Sequence, residues 1–180
     1  TLRSTVFVPG DGLREKSARD GAPYQRWADD GLIQICPGPI IDNAMVEDHV
    51  RELCGAYEVQ EVAFDPHLAR VVMQHLHDEG LPVFAFPQRP LTMGVAAGDL
   101  ERIVTGRLIR HNGDPVLRQH FENVVTSRNP TTGLVRMHKA STASRIDAAV
   151  ASAMAVSRAV TAHDRRSRYD DPEVFGLVTI

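Results

Sequence analysis

The stretch Glu61-Val-Ala-Phe-Asp65-Pro-His67 decides how this sequence is interpreted. Residues 59–64 read Val-Gln-Glu-Val-Ala-Phe, and the apolar run at their end predicts a short β-strand that ends just before Asp65. A carboxylate at the carboxyl end of a strand, beside the start of a helix, is well placed for a functional site. The alternative is that Asp65 only caps a helix that begins at Pro66, where proline is favoured. A second isolated acid, Asp147, favours the functional site.

The segments around this stretch predict an α/β fold with a partly antiparallel sheet flanked by helices. The fully apolar residues 82–86 indicate a buried parallel strand, and residues 129–133 (Asn-Pro-Thr-Thr-Gly) indicate a hairpin turn. In chain order, strands are predicted at 2–8, 32–36, 59–64, 82–86, 124–128 and 134–138, and helices at 13–20, 24–30, 42–56, 66–79, 93–105, 115–122 and 144–162.

Length and composition exclude several classes of protein. A chain of 180 residues is long enough for one domain with a proper core. No apolar run approaches the ~20 residues that span a bilayer, and the sequence shows no secretory signal, so we expect no membrane association. Cys36 and Cys54 are isolated and lack the CxxC spacing of zinc sites, which indicates reduced thiols in a cytosolic protein.

The formal net charge of −3 conceals an uneven distribution of charge. Residues 1–100 carry 8 basic and 15 acidic side chains, whereas residues 101–145 carry 8 basic and 3 acidic ones. Such a basic segment is commonly a solvated surface. Because this one lies between two candidate metal ligands, we expect it to face a polyanion.

Asp65 and Asp147 are the candidate metal ligands. Asp147 lies in the first turn of the predicted helix 144–162, so its carboxylate can converge with one at a strand end. Mg²⁺ and Mn²⁺ prefer hard oxygen ligands and retain water, so few protein ligands suffice. Two such ions about 4 Å apart can activate a water and stabilise the leaving oxygen of a phosphodiester. Solitary aspartates at helix starts are common, so the pair permits this chemistry without requiring it.

The ordered set of short motifs resembles the C-terminal nuclease domain of tailed-bacteriophage terminase large subunits, which has a ribonuclease-H-like fold. The resemblance covers nearly the whole chain, and its specificity comes from the order and spacing of the motifs together. The matching segments are 9–16, 23–27, 31–32, 37–42, 62–66, 86–88, 99–104, 106–117, 123–124, Lys139 and 145–151.

The resemblance implies a DNA endonuclease that cuts concatemeric viral DNA with three acids and two metal ions, Mg²⁺ or Mn²⁺. Asp65 and Asp147 match the second and third of these acids. The first belongs to the opening strand of the family fold, and residue 1 matches the second strand. We therefore expect residues 1–163 to form a ribonuclease-H-like nuclease domain that lacks its N-terminal first strand, with residues 164–180 as a C-terminal tail.

The resemblance also marks His111 and Asn123 as possible support for the site. Either side chain could orient a phosphate or a water, or could simply tie down a loop. Three members of the basic segment, Arg128, Lys139 and Arg145, are expected to contact DNA phosphates.

The implied partners are double-stranded DNA and, by resemblance, an upstream ATPase domain, the small terminase subunit and the portal. The chain itself has no GxxxxGK[ST] phosphate-binding motif. The implied location is the cytoplasm of the bacterial host.

Loss of one acid leaves an alternative open, in which the chain is a catalytically inactive remnant that binds DNA or docks on the portal. A small-molecule enzyme would need a glycine-rich cofactor loop, which the sequence lacks.

Loss of the first strand would leave two half-sheets, 2–8 with 32–36 and 59–64 with 82–86. We expect the gap between them to be closed directly or left open, rather than filled by residues 175–180.

Overall fold

The computed structural model describes the backbone of residues 1–165 and the side chains of residues 1–161. Helices and strands alternate along this part of the chain. They are β1 (Phe7–Pro9), α1 (Leu13–Asp20), α2 (Tyr24–Asp29), β2 (Gln34–Cys36), α3 (Asn43–Ala56), β3 (Val62–Phe64), α4 (Arg70–Asp78), β4 (Val83–Ala85), α5 (Pro90–Thr105), α6 (Pro115–Glu122), β5 (Val124–Arg128), β6 (Val135–Lys139) and α7 (Asp147–Arg165).

The strands of the described residues form three separate pairs. β1 pairs with β2 in parallel, β3 pairs with β4 in parallel, and β5 pairs with β6 in an antiparallel hairpin. These are the predicted partners, and the antiparallel part of the fold is confined to the hairpin. Each parallel pair is separated in sequence by helical segments, as a parallel connection requires.

The gap expected between the two parallel pairs is open within residues 1–165, where no strand pairs with both. Direct closure between β1 and β3, one of the two arrangements expected, does not occur there. Residues 175–180, the third arrangement considered, lie outside the described residues. Backbone groups on a strand edge that lacks a neighbour remain available for pairing with another strand.

The predicted helix starts at residues 66, 93 and 144 are wrong by three or four residues. α4 begins at Arg70 because the backbone N–H groups of Leu68 and Ala69 donate to Asp65 O and close a turn first. α5 begins at Pro90, where a proline needs no hydrogen-bond partner for its nitrogen. The start of α7 at Asp147 follows a turn that Ser141 and Ser144 close through a 3.1 Å backbone hydrogen bond.

Two hydrophobic clusters form the core, and α6 contributes to both. The first surrounds Trp27, which is 6% exposed and therefore the core anchor that its size suggests. Val116 of α6 belongs to this cluster, whereas Phe121 of the same helix packs against the second. The second cluster consists of Phe86, Ala96, Leu100, Ala153 and Met154.

α5 and α7 pack against each other through small side chains. Ala96 of α5 and Ala149 and Ala153 of α7 are fully buried. Alanine at such positions lets two helix backbones approach closely, which explains how one face of the alanine-rich α7 packs into the core. None of the helices in the described part of the chain is both long and apolar enough to cross a membrane.

Candidate active site

Asp65 follows β3 directly, and its carboxylate has a local structural role. Oδ1 accepts a 3.0 Å hydrogen bond from the backbone N–H of His67. The carbonyl oxygen of Asp65 accepts from Leu68 N and Ala69 N at 3.2 and 3.0 Å. Asp65 therefore caps the turn that precedes α4 rather than α4 itself, and this capping uses one carboxylate oxygen.

Asp147 is the first residue of α7, and its side chain is exposed. A carboxylate at this position is stabilised by the positive end of the helix dipole. The next backbone N–H, that of Ala148, donates a 2.9 Å hydrogen bond to Nδ1 of the buried His120 on α6. The first turn of α7 is thus held by a neighbouring helix.

Asp65 and Asp147 line the same cavity, which has a volume of about 550 Å³. One part of its wall is polar or basic and includes Gln88, Arg136 and Lys139. The remainder is largely apolar, with contributions from β3, α5 and α7. Two carboxylates and two cations therefore face one space beside an apolar wall, an arrangement suited to a metal ion with a phosphate ester.

An ion pair fixes α7 against β3 at a distance from this cavity. Arg158 donates to both oxygens of Glu61 at 2.6 and 2.8 Å, and its guanidinium lies 3.7 Å from the centroid of the Phe84 ring. The hydrogen bond to Glu61 raises the pKa of Arg158. Asp147 and Arg158 are three helical turns apart on one face of α7, about 16 Å along its axis. The strand from Glu61 to Asp65 advances about 13 Å, so an antiparallel alignment of α7 on β3 that joins Arg158 to Glu61 also brings Asp147 to the same cavity as Asp65.

Arg145 fixes the segment that leads into Asp147. Its Nε and Nη2 donate to the two oxygens of Asp20 at 2.9 and 3.1 Å. The Asp20 side chain is only 2% exposed and also accepts from Arg19 and Tyr24. Hydrogen bonds from Arg19 and Arg145 hold the pKa of Asp20 well below its usual range, despite burial. Burial is the main cause that raises the pKa of Tyr24 to about 12.

Some residues of the basic segment form internal ion pairs, and others line the cavity of the two acids or a second cavity. Arg145 is bonded to Asp20, and Arg128 donates to Glu101 at 2.6 Å and to the carbonyl oxygen of Gly133 at 2.9 Å. Arg136 and Lys139 line the cavity, and their side chains have no hydrogen-bond or ion-pair partner within the described residues. The whole segment does not line one face, because several of its arginines point to other elements. DNA contact by Arg128, Lys139 and Arg145 stays a prediction.

The two polar residues proposed to support the site lie in different places. Nδ2 of Asn123 donates to the carbonyl oxygen of Arg145 at 3.1 Å, so Asn123 ties down the loop that leads to Asp147. His111 lines a second cavity, of about 490 Å³, with Arg107 and Arg118. Its Nδ1 accepts from the backbone N–H of Gly113. His111 is therefore not among the residues that line the cavity of the two acids.

Sequence reasoning missed His120, which is 4% exposed. Burial lowers the pKa of this imidazole, an effect that the charges of Asp147 and Asp114 partly offset. A neutral ring is required for Nδ1 to accept the hydrogen bond from Ala148. A signal was present, because His120 follows the buried Val116 and Leu117 at the spacing of one helix face.

The donor set of the cavity suits a hydrated hard cation. Asp65 and Asp147 supply carboxylate oxygens, the ligand type that Mg²⁺ and Mn²⁺ prefer. Within the described residues there is no group of three or more His, Cys, Asp or Glu side chains that could hold a metal ion. A metal bound here would therefore keep several waters.

The sequence model of a protein family described as "Terminase large subunit, endonuclease domain" matches residues 1–163 of this chain. The chain belongs to this family of terminase endonuclease domains. A solved structure titled "Crystal structure of the HK97 bacteriophage large terminase" resembles this domain with a TM-score of 0.76 at 29% identity. The match covers 84% of this chain and 32% of that one. The fold is accordingly ribonuclease-H-like.

Two curated relatives match this endonuclease domain over most of its length. The large terminase subunit of Enterobacteria phage HK97 is 30% identical over 155 residues, which are 85% of this chain and 31% of the relative. Protein YmfN of Escherichia coli K12 is 25% identical over 176 residues, which are 95% of this chain and 39% of the relative. The chain spans less than two fifths of the length of either protein.

Proposed function

We propose that this chain is a metal-dependent DNA endonuclease domain that hydrolyses phosphodiester bonds during phage genome packaging, with Asp65 and Asp147 as ligands of Mg²⁺ or Mn²⁺. The observation that carries the proposal is the common cavity of these two acids, with Arg136 and Lys139 on its wall. Family membership supports the endonuclease assignment, and the cavity supports its location in the chain.

The residues of the cavity would have two different roles, metal binding and phosphate binding. Asp65 and Asp147 would hold the cations, which supply an activated water and stabilise the leaving oxygen. Lys139 and Arg136 would bind the phosphates that flank the scissile bond, because phosphate contacts position a nucleic-acid strand without reading its sequence. The Arg158 and Glu61 pair and the Arg145 and Asp20 pair keep the two acids in register.

The same proposal extends to the larger assembly. Double-stranded DNA is the substrate, and the curated relatives are long enough to carry further domains. An ATPase domain, a small terminase subunit and a portal are the proposed partners, and the cytoplasm of the bacterial host is the proposed location. We propose residues 1–163 as the folded nuclease domain and residues 164–180 as its tail.

A second candidate function is an inactive module that binds DNA or docks on the portal. The observation that favours it is the lack of a third carboxylate or imidazole ligand beside Asp65 and Asp147 within the described residues. Two-metal hydrolysis needs ligands that bridge or position both ions, and losing one lowers activity steeply. DNA binding without cleavage would identify this function.

Plasmid nicking with Mn²⁺ tests the proposal on residues 1–180 and on the polypeptide of the complete reading frame that contains them. We expect cleavage by the longer polypeptide and little or none by residues 1–180, because the shorter chain offers two acids. Asp65→Asn and Asp147→Asn in the longer polypeptide should each lower the rate at least ~100-fold, beyond the usual cost of losing a supporting partner.

Asp29→Asn, which changes an exposed acid on α2, is the matched control and should leave the rate unchanged. Wild-type rates in both Asp65→Asn and Asp147→Asn would disprove the assignment of the site. Strong cleavage by residues 1–180 would show that another side chain supplies the missing ligand.

A further inference from the structure

His120 is a polar side chain in a buried position, and its hydrogen bond reaches a different helix. The residue lies on α6 and is 4% exposed. Its Nδ1 accepts from the backbone N–H of Ala148, 28 residues away, at 2.9 Å. Burying a polar group is costly unless it is hydrogen-bonded, so this contact accounts for the position of the ring.

The contact satisfies a need at the start of α7. The first four N–H groups of a helix have no partner inside the helix. Many helices supply one from a Ser, Thr, Asp or Asn that precedes the first turn. Here the preceding residue is Ile146, which has no side-chain acceptor, and His120 provides the acceptor from outside.

A second residue of the same region, Asn123, fixes the backbone on the N-terminal side of Asp147 by a hydrogen bond. Asn123, directly after α6, donates through Nδ2 to the carbonyl oxygen of Arg145 at 3.1 Å. The carbonyl two residues before Asp147 and the N–H one residue after it are therefore both bonded to the C-terminal end of α6. Buried packing of Val116 and Leu117 anchors that helix in turn.

We infer that His120 is a positioning residue that orients the Asp147 carboxylate for metal binding by capping the first turn of α7. This role rests on the proposed function, because it takes Asp147 as a metal ligand. His120 itself does not line the cavity of the acids, so it acts through the backbone of Ala148 and touches neither metal nor DNA.

The test compares His120→Asn with His120→Leu in the polypeptide of the complete reading frame. Asn places an oxygen where His has Nδ1, so it can keep the hydrogen bond, whereas Leu fills the space without an acceptor. Mn²⁺ affinity, measured by titration calorimetry, should fall roughly 10- to 100-fold in His120→Leu and stay within about threefold of wild type in His120→Asn.

Leu76→Ala controls for general loss of stability. Leu76 on α4 is fully buried and belongs to neither of the two clusters that α6 joins, so its truncation tests a loss of stability that arises elsewhere in the domain. Its Mn²⁺ affinity should match wild type at a temperature where all variants are folded. Equal affinities in wild type and His120→Leu would overturn the inference, as would equal losses in His120→Leu and His120→Asn.

Hydrogen exchange separates failure of this inference from failure of the proposed function. If Mn²⁺ binding by the wild type does not depend on Asp65 and Asp147, the proposed function fails. Hydrogen exchange of the backbone amides in the peptide that contains Ala148, measured without metal, then still tests whether His120 caps α7. Faster exchange there in His120→Leu, but not in His120→Asn, supports the capping role, and identical exchange in all three proteins refutes it.

Discussion

Arg145 and Lys139 are six residues apart in the sequence, yet the structure uses their charges in opposite ways. Arg145 precedes α7 and donates two hydrogen bonds to Asp20, whose side chain is 2% exposed. Lys139 ends β6 and lines the cavity of Asp65 and Asp147. The Lys139 side chain has no internal partner among the described residues.

This comparison shows that basic residues close together in the sequence do not necessarily form a basic surface in the folded protein. An arginine bonded to a buried carboxylate holds two elements together and has few donors left for a ligand. A lysine on a cavity wall adds little to stability and remains available to a phosphate. Substitutions at the two kinds of position should therefore separate the free energy of unfolding from the affinity for DNA.

Asp20→Asn should give the largest loss of stability. It removes the charged partner of Arg145, and breaking a largely buried pair costs several kcal/mol. Arg145 keeps about a third of its side chain exposed, so we expect a smaller loss, about 2 kcal/mol in the free energy of unfolding. Thermal unfolding should show a midpoint lower by about 4–8 °C.

Asp30→Asn is the control, because Asp30 pairs with Arg26 at 3.5 Å on the surface. A midpoint shift as small as that of Asp30→Asn would mean that the Asp20 contacts do not stabilise the fold.

The pH dependence of the free energy of unfolding follows from the lowered pKa of Asp20. A carboxyl with a lower pKa in the folded state contributes stability above its unfolded pKa, about 3.9 for aspartate. That contribution is lost as the pH falls towards the folded pKa. The difference in unfolding free energy between wild type and Asp20→Asn should thus be constant from about pH 7 to 5 and shrink below about pH 4. Urea unfolding across this range measures it.

Arg158→Gln should have an intermediate effect. It removes two charge-assisted hydrogen bonds to Glu61 and the contact with the Phe84 ring, so we expect a loss of about 1–2 kcal/mol. Arg158→Lys keeps the charge but not the paired geometry and should recover only part of this loss. Urea unfolding measures both variants. Full recovery with Lys would mean that charge alone matters at this position.

Lys139→Glu should have the smallest effect on stability, within about 0.5 kcal/mol, because the side chain is exposed. DNA affinity should fall, and the slope of log affinity against log salt should flatten by about 1. Arg128→Glu should change the slope less, since Arg128 is bonded to Glu101.

Arg14→Glu, an exposed change on α1, is the reference for binding measurements over a range of salt concentrations. Equal slopes for Lys139→Glu and Arg14→Glu would show that the cavity wall does not contact DNA.

Much of the fold could be predicted because its signals are local. The bounds of α6 and β5 match the predicted 115–122 and 124–128. Pro115 begins a helix capped by Asp114, and turn residues end the strand. Starts were missed where a turn competed with the helix, as at residues 66–69, since both satisfy the same backbone groups.

The two acids of the candidate site and Lys139 on its wall were predictable from the sequence. The position of Asp65 after a strand and of Asp147 at a helix start follows from nearby residues. His120 was missed because its partner, Ala148, is a backbone group that no sequence pattern names. Of the two roles predicted for Asn123, its bond to the carbonyl oxygen of Arg145 is the one that ties down a loop.

By itself, the sequence determined the type and order of the elements, the strand pairs and the two acids at element ends, because hydrophobic periodicity and turn chemistry act over a few residues. Only the tertiary structure decided which cations face the cavity. That outcome depends on contacts such as Arg145 with Asp20, across 125 residues, and Arg158 with Glu61, across 97. A charge acquires its role from the partner that folding brings to it, and that partner is distant in sequence.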